Sequence, residues 1–166
     1  MAFAPIVGSL GYVLSEDRRA VLMIHRNARP DDDAYGKYNG LGGKMEPDED
    51  VATCMTREIF EEAGITVTSM TMRGTVSWPG FGKDGEGWLG FVFLISRWRG
   101  TPLTENAEGA LSWVPVADVL AGKLPMWEGD KRWIAMVFDG DPRPFHGLQP
   151  YDGLTLLADR WSVSRW

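Results

Sequence analysis

The sequence is short of the residues that make cross-links and soft-metal sites. It has one cysteine, Cys54, in 166 residues, so no internal disulfide can form. That usage fits a reducing compartment, and the expected location is the cytoplasm. There are two histidines, His25 and His146, and no H-E-x-x-H or G-x-S-x-G pattern. Each histidine reads as a structural or surface residue, and Cys54 as a small core residue. Basic residues are also in deficit: 17 Lys and Arg stand against 23 Asp and Glu, a net charge of -6. Affinity for a phosphate backbone comes from Lys and Arg, so a general nucleic-acid binder is disfavoured. Long apolar runs are missing. The longest, Phe91 to Ile95, is far below the roughly 20 residues that cross a bilayer. Met1 to Leu14 lacks the basic start of a signal peptide. No membrane partner is expected.

Two phosphate motifs fail as well. No G-x-x-x-x-G-K-[ST] is present. Gly80 to Gly85 matches G-x-G-x-x-G, but a strand follows it where the dinucleotide motif needs a helix. It reads as a mobile hairpin loop, with a lid role open.

What remains is an average globular composition, 44% hydrophobic and 24% charged, in a length that suits one domain over residues 1–166. Eight tryptophans point to large flat contacts in a core or a ligand pocket. Strands are predicted over Ile6–Leu14, Ala20–His25, Thr66–Trp78, Gly87–Trp98 and Leu111–Val114. Helices are predicted over Glu49–Ala63, Val116–Ala121 and Asp130–Phe138. Asn27–Lys37, with Asp31, Asp32 and Asp33, reads as a solvated loop. Arg143–Gln149 and Leu154–Val163 read as a closing antiparallel pair about a turn at 150–153. The class is α+β.

The helix predicted after Pro47-Asp48 and closed by Gly64 carries its acids in an unusual place. With Val51 at zero on the helical wheel, Met55 and Ile59 lie at about 40° and 80°, and Glu58 and Glu62 at about -20° and 20°. Both acids point with the apolar stripe, toward the protein body, and Glu61 flanks them at about -80°. They repel each other at i,i+4 spacing and oppose the helix dipole near its C-terminus. Arg57, at about -120°, covers this face poorly. A divalent cation is the other compensation, and carboxylate oxygens suit Mg²⁺ or Mn²⁺; the alternative is a surface acidic cluster on a helix that starts later.

The same stretch resembles the Nudix hydrolase signature, G-x5-E-x7-R-E-U-x-E-E-x-G-U with U a bulky aliphatic. Gly43, Glu49, Arg57, Glu58, Ile59, Glu61, Glu62, Gly64 and Ile65 meet every fixed position. The resemblance implies an α/β/α sandwich with a mixed sheet, the box forming a loop–helix–loop. It implies Mg²⁺- or Mn²⁺-dependent hydrolysis of a nucleoside diphosphate linked to another group. Glu58, Glu62 and the Gly43 carbonyl are the implied metal ligands, with Glu61 a further ligand or the base. Glu49 and Arg57 are an implied structural ion pair. Lys44 is a phosphate contact or a solvated lysine. A loop glutamate joins the site in some members, and Glu105 is preferred to Glu108 for that place.

Three weaker patches are similar to the MutT-type branch acting on oxidised purine nucleoside triphosphates. They are Lys37 to Lys44, Pro125 to Asp130, and Arg143 to Gly147. They imply base contacts from Asn39, Trp127 and Asp130, with Gly129 standing where the branch has a further acid. For Trp78 a core position is preferred to a pocket wall. The implied activity is pyrophosphohydrolysis of a nucleoside triphosphate to a monophosphate and pyrophosphate, with oxidised purines such as 8-oxo-dGTP preferred. Alternatives are ADP-ribose, a dinucleoside polyphosphate or an unmodified dNTP as substrate, and, more remotely, a non-catalytic nucleotide sensor. Monomer and homodimer both remain open.

Overall fold

The computed structural model describes residues 1–166. Its strands are β1 (Ile6–Leu14), β2 (Ala20–His25), β3 (Tyr38–Asn39), β4 (Leu41–Lys44), β5 (Thr66–Trp78), β6 (Trp88–Arg99), β7 (Glu105–Asn106), β8 (Gly109–Pro115), β9 (Phe145–Leu148), β10 (Tyr151–Asp152), β11 (Thr155–Leu156) and β12 (Ser162–Arg165). The helices are α1 (Val51–Ala63), α2 (Val116–Leu120) and α3 (Ile134–Phe138), with a 3₁₀ turn at Asp130–Arg132.

The main sheet runs β12-β9-β5-β6-β1-β2-β8-β7, with β4 paired to β1 and β3 to β2. β1–β6 and β5–β9 are parallel and the other pairs antiparallel, so the sheet is mixed. Alternation along the central strands feeds two cores. Val13, Leu22 and Ile24 face α1 and pack with Met55 and Ile59. Tyr12, Val21 and Met23 face the other side and pack with Val119, Ile134 and Val137. Period-two side-chain direction in strands produces this split, and it makes the sandwich.

The central strands fall where the sequence places them, and four differences have local causes. First, α1 begins at Val51, not Glu49, because Asp50 is its N-cap. The Thr53 amide donates to Asp50 Oδ1 at 2.7 Å. Gly64 ends the helix at φ 71°, in the left-handed region that glycine tolerates. Second, the expected helix Asp130–Phe138 is broken at Trp133, whose φ is -128°. The break lets its fully buried indole stack on Phe145 at 5.6 Å.

Third, the closing pair forms differently from the expectation. β9 pairs with β12, while Tyr151–Asp152 and Thr155–Leu156 make a separate hairpin. The chain leaving β9 keeps to the edge of β5, with Gln149 and Tyr151 amides donating to Ser77 and Pro79 carbonyls. That carries the turn on to Gly153, at φ 61°. Fourth, the short strands β3, β4 and β7 carry too few residues for a period to show.

Ile59 is fully buried at the centre of the α1 core. Ile59→Ala is expected to destabilise by about 2–5 kcal/mol, through lost transfer energy and the cavity left behind. Urea midpoints at unchanged slope check this.

Candidate active site

Arg57 organises one end of the site. Its Nε and Nη2 donate to the two Glu49 oxygens at 2.9 and 2.6 Å. Nη1 donates to Glu58 at 2.8 Å and Glu61 at 3.2 Å, and Nη2 to the Lys44 carbonyl at 3.1 Å. This corrects the wheel-based expectation that Arg57 covers the acidic face poorly. The wheel gives the direction of Cβ, whereas the guanidinium sits at the end of a long stem and reaches back over that face. The forked bond to Arg57 lowers the Glu49 pKa from 4.5 to about 2.

The other acids take three different environments. Glu58 lies against Gly43, where an added Cβ would stand 2.6 Å from its Oε1. Burial raises its pKa, and the Arg57 contact offsets part of that rise. Glu61 is half exposed and turned outward. Glu62 accepts the Gly42 amide at 2.9 Å and forms no ion pair. Burial first, then the charge of Glu108, pushes its pKa up to about 8. An added Cβ on Gly42 would stand 2.0 Å from the Ser9 carbonyl, so glycine alone lets β4 lie this close to β1. Behind this loop the buried Cys54 contacts the Ser9 hydroxyl at 3.2 Å.

The structure seats Glu108, not Glu105, beside Glu62. Glu105 is exposed on β7. Asn106 Oδ1 accepts the Glu108 and Gly109 amides, and this tight turn points Glu108 inward. There it meets Arg26 at 2.7 Å and Arg29 at 3.3 Å. Asn106 Nδ2 also donates to the Glu62 carbonyl at 3.1 Å. No pattern in the sequence announces Asn106. The Asp31–Asp33 loop is less solvated than expected: Asp32 pairs with Arg26 at 2.6 Å, and Asp33 with Lys83 of the Gly-rich loop at 3.0 Å.

Hard oxygen donors suit Mg²⁺ or Mn²⁺, and Glu62 is a half-buried carboxylate without a bonded cation. The donor chemistry therefore fits a divalent ion. In this arrangement the acids do not converge as a group of three. Arg57 holds Glu58 and Glu61, and the Gly42 amide holds Glu62.

From Gly43 and Glu62 a cavity of about 230 Å³ runs to Asn39, Trp127 and Asp130. It joins both groups of residues singled out in the sequence. Asn39 Oδ1 is buried without a hydrogen-bond partner. Asp130 is 7% exposed, and burial alone raises its pKa from 3.8 to about 7. Trp127 lines the cavity, with Lys37 Nζ 4.5 Å from its ring centre and Phe81 edge-on at 5.2 Å. Trp78, preferred as a core residue, packs against the core and also lines the cavity, and its indole N–H donates to Gln149 at 3.0 Å. Phe81 enters from the Gly-rich loop. Lys44 makes no ion pair and lies 5.5 Å from the Trp88 ring centre, at the cavity edge.

Folding favours the ionised form of Glu49. Its contribution is full above pH 4.5 and is lost as pH falls toward about 2. Glu49→Gln is expected to lower stability at pH 7 and to flatten the acid loss across that window. Urea unfolding from pH 7 down to pH 2 reads both effects.

The NUDIX domain model matches residues 5–137. The Nudix hydrolase YvcI of Bacillus subtilis, described as uncharacterized, is 33% identical over 143 residues, covering 84% of this chain and 83% of its own. The oxidized purine nucleoside triphosphate hydrolase of Danio rerio is 28% identical over 127 residues, covering 75% and 76%. The crystal structure of a MutT protein from Bacillus halodurans superposes with a TM-score of 0.78 at 29% identity, covering 96% and 97%. With the mixed sheet, the acid-bearing α1 and the Arg57 hub already in place, this match shows that the chain belongs to the Nudix hydrolase family.

Proposed function

We propose that the protein is a Mg²⁺-dependent nucleoside triphosphate pyrophosphohydrolase that takes oxidised purine nucleotides such as 8-oxo-dGTP and releases the monophosphate and pyrophosphate. One observation carries the reading. The cavity that opens at Glu62 and Gly43 ends between aromatic walls at two polar groups with no partner of their own, Asn39 Oδ1 and the Asp130 carboxyl. Buried polar groups are normally paired, and two such side chains lining one cavity suit a ligand with complementary edges.

A purine matches those walls as a flat π-surface for Trp127 and Trp78. Oxidation at C8 converts N7 from an acceptor to a donor. Asn39 Oδ1 is an unused acceptor for such a donor. Asp130, with a pKa near 7, donates when protonated and accepts when ionised. Sites built on such contacts discriminate strongly, by up to about 10⁴–10⁵. With the base seated there, the phosphates extend toward Glu62, Gly43 and the uncommitted Lys44. Glu58, Glu62 and the Gly43 carbonyl would hold a divalent ion, which would supply an activated water and neutralise phosphate oxygens. Glu61 or Glu108 is the further carboxylate for proton transfer. The similarity to the Danio rerio hydrolase supports the same substrate class.

Pyrophosphate release with Mg²⁺ is expected to be about 10²-fold greater in kcat/KM for 8-oxo-dGTP than for dGTP, about 2.7 kcal/mol in transition-state binding. Glu62→Gln is expected to abolish it. Equal turnover of the two nucleotides refutes the oxidised-purine assignment, and ADP-ribose and a dinucleoside polyphosphate in the same panel identify the replacement.

Asp130 gives a second test. Its folded pKa of about 7 lies above the ordinary 3.8, so folding favours the protonated form. The chain is then expected to lose stability as pH rises through that window. Asp130→Asn is expected to remove the Asp130 share of this slope, leaving the share that Glu62 contributes, and to change the preference among purine triphosphates. Urea midpoints between pH 4 and pH 8 and the same nucleotide panel measure the two effects.

A further inference from the structure

Gly129 stands where the resemblance leads to an acid, and its backbone does not explain the glycine. Its φ of -61° and ψ of -42° are open to any residue. Space is the reason. A Cβ added at Gly129 would stand 2.6 Å from Gln149 Oε1 and 2.6 Å from the Tyr151 hydroxyl. Gln149 is wholly buried and spends its amide on two distant elements. Its Nε2 donates to the Gly129 carbonyl at 2.7 Å, and its Oε1 accepts the Trp78 indole N–H at 3.0 Å. Trp78 in turn lies on Gly90, where a Cβ would come within 2.4 Å of the indole. The path of the chain after β9 makes this possible. Leu148 is in register with Ser77, so Gln149 arrives beside Trp78 at the end of β5.

We propose that Gln149 is a positioning residue that locks the two walls of the base pocket together, Trp78 on one side and the Gly129–Asp130 segment on the other. With the Tyr151 hydroxyl it fills the room of a side chain at 129, so this chain meets the base edge with Asp130 as its one acid. The proposal rests on reading the cavity as a base pocket. The clamp exchanges a second polar contact for a fixed wall. A buried amide satisfied on both sides holds its neighbours to one arrangement, and a partly satisfied one does not.

The test combines a spectroscopic signature with kinetics. Gln149→Met keeps the length and removes both hydrogen bonds. Gln149→Glu keeps the acceptor for Trp78 and loses the donor to Gly129. In ¹H–¹⁵N spectra of the protein without nucleotide, the Trp78 indole signal, assigned by its loss in Trp78→Phe, is expected to move upfield in Gln149→Met. It is expected to stay in place in Gln149→Glu. Gly129→Ala, which pushes a methyl against Gln149 Oε1, is expected to move it as Gln149→Met does.

With 8-oxo-dGTP, Gln149→Met is expected to raise KM about ten-fold with kcat within about two-fold, the size of two neutral hydrogen bonds. In the Trp78→Phe background the same change is expected to add less than about three-fold, because the two residues act through one bond. An unmoved indole signal overturns the clamp. A moved signal with KM unchanged, or with kcat and KM changing additively in the double variant, overturns its role in base binding. If the unmodified protein turns over no purine triphosphate, the substrate reading itself fails and this role falls with it. That outcome is distinguished by the control and not by the variants.

Discussion

The site depends on one guanidinium. Arg57 collects Glu49, Glu58, Glu61 and the Lys44 carbonyl. Those groups belong to three pieces of chain: the end of β4, the loop before α1, and α1 itself. Without a fixed cation the helix would bring like charges together near its own negative end, and the loop would have nothing to hold it there. With it, three carboxylates are balanced and Glu62 is left as the half-buried acid of the helix with no ion pair. The distinction between Glu62 and its neighbours is therefore set by where Arg57 reaches, more than by the helix.

Glycine supplies the second constraint. β4 lies so close to β1 that a Cβ on Gly42 would overlap the Ser9 carbonyl, and a Cβ on Gly43 would overlap the Glu58 carboxylate. The backbone itself forms this wall of the cavity. Gly90 does the same at the other end, where it lets Trp78 lie flat on the sheet. Close backbone approach at both ends makes one continuous space between Gly43 and Trp78.

The cavity walls come from segments far apart in the chain. Asn39 leaves β3, Trp78 ends β5, Phe81 reaches in from the Gly-rich loop, and Trp127 and Asp130 precede α3. Gln149 links two of these from a third place. Asp130 is buried with no compensating partner, which is costly in a finished core and reasonable in a pocket that receives a polar ligand. The tail beyond β9 brings Gln149 and Tyr151 to the pocket while adding β12 as an edge strand of the sheet.

The sequence by itself determined the α+β class, the central strands and the acid-bearing helix, because period-two and period-3.6 patterns are local properties of a chain. It also determined the box, since Glu49, Arg57, Glu58, Glu61 and Glu62 sit on one loop and helix whose spacing is read directly. Asn39, Trp127 and Asp130 stand out in short patches, but the cavity that all three line is not visible there. Only the tertiary structure decided which loop glutamate stands by Glu62, because a tight turn at Asn106 points Glu108 inward. It also decided that Trp78 is a wall, that Arg57 covers the acids, and that Gln149 and Tyr151 occupy the space over Gly129. Each of these depends on where a long or distant side chain ends. Direction along one element is written in the sequence, but distance between elements arises only when the sheet assembles.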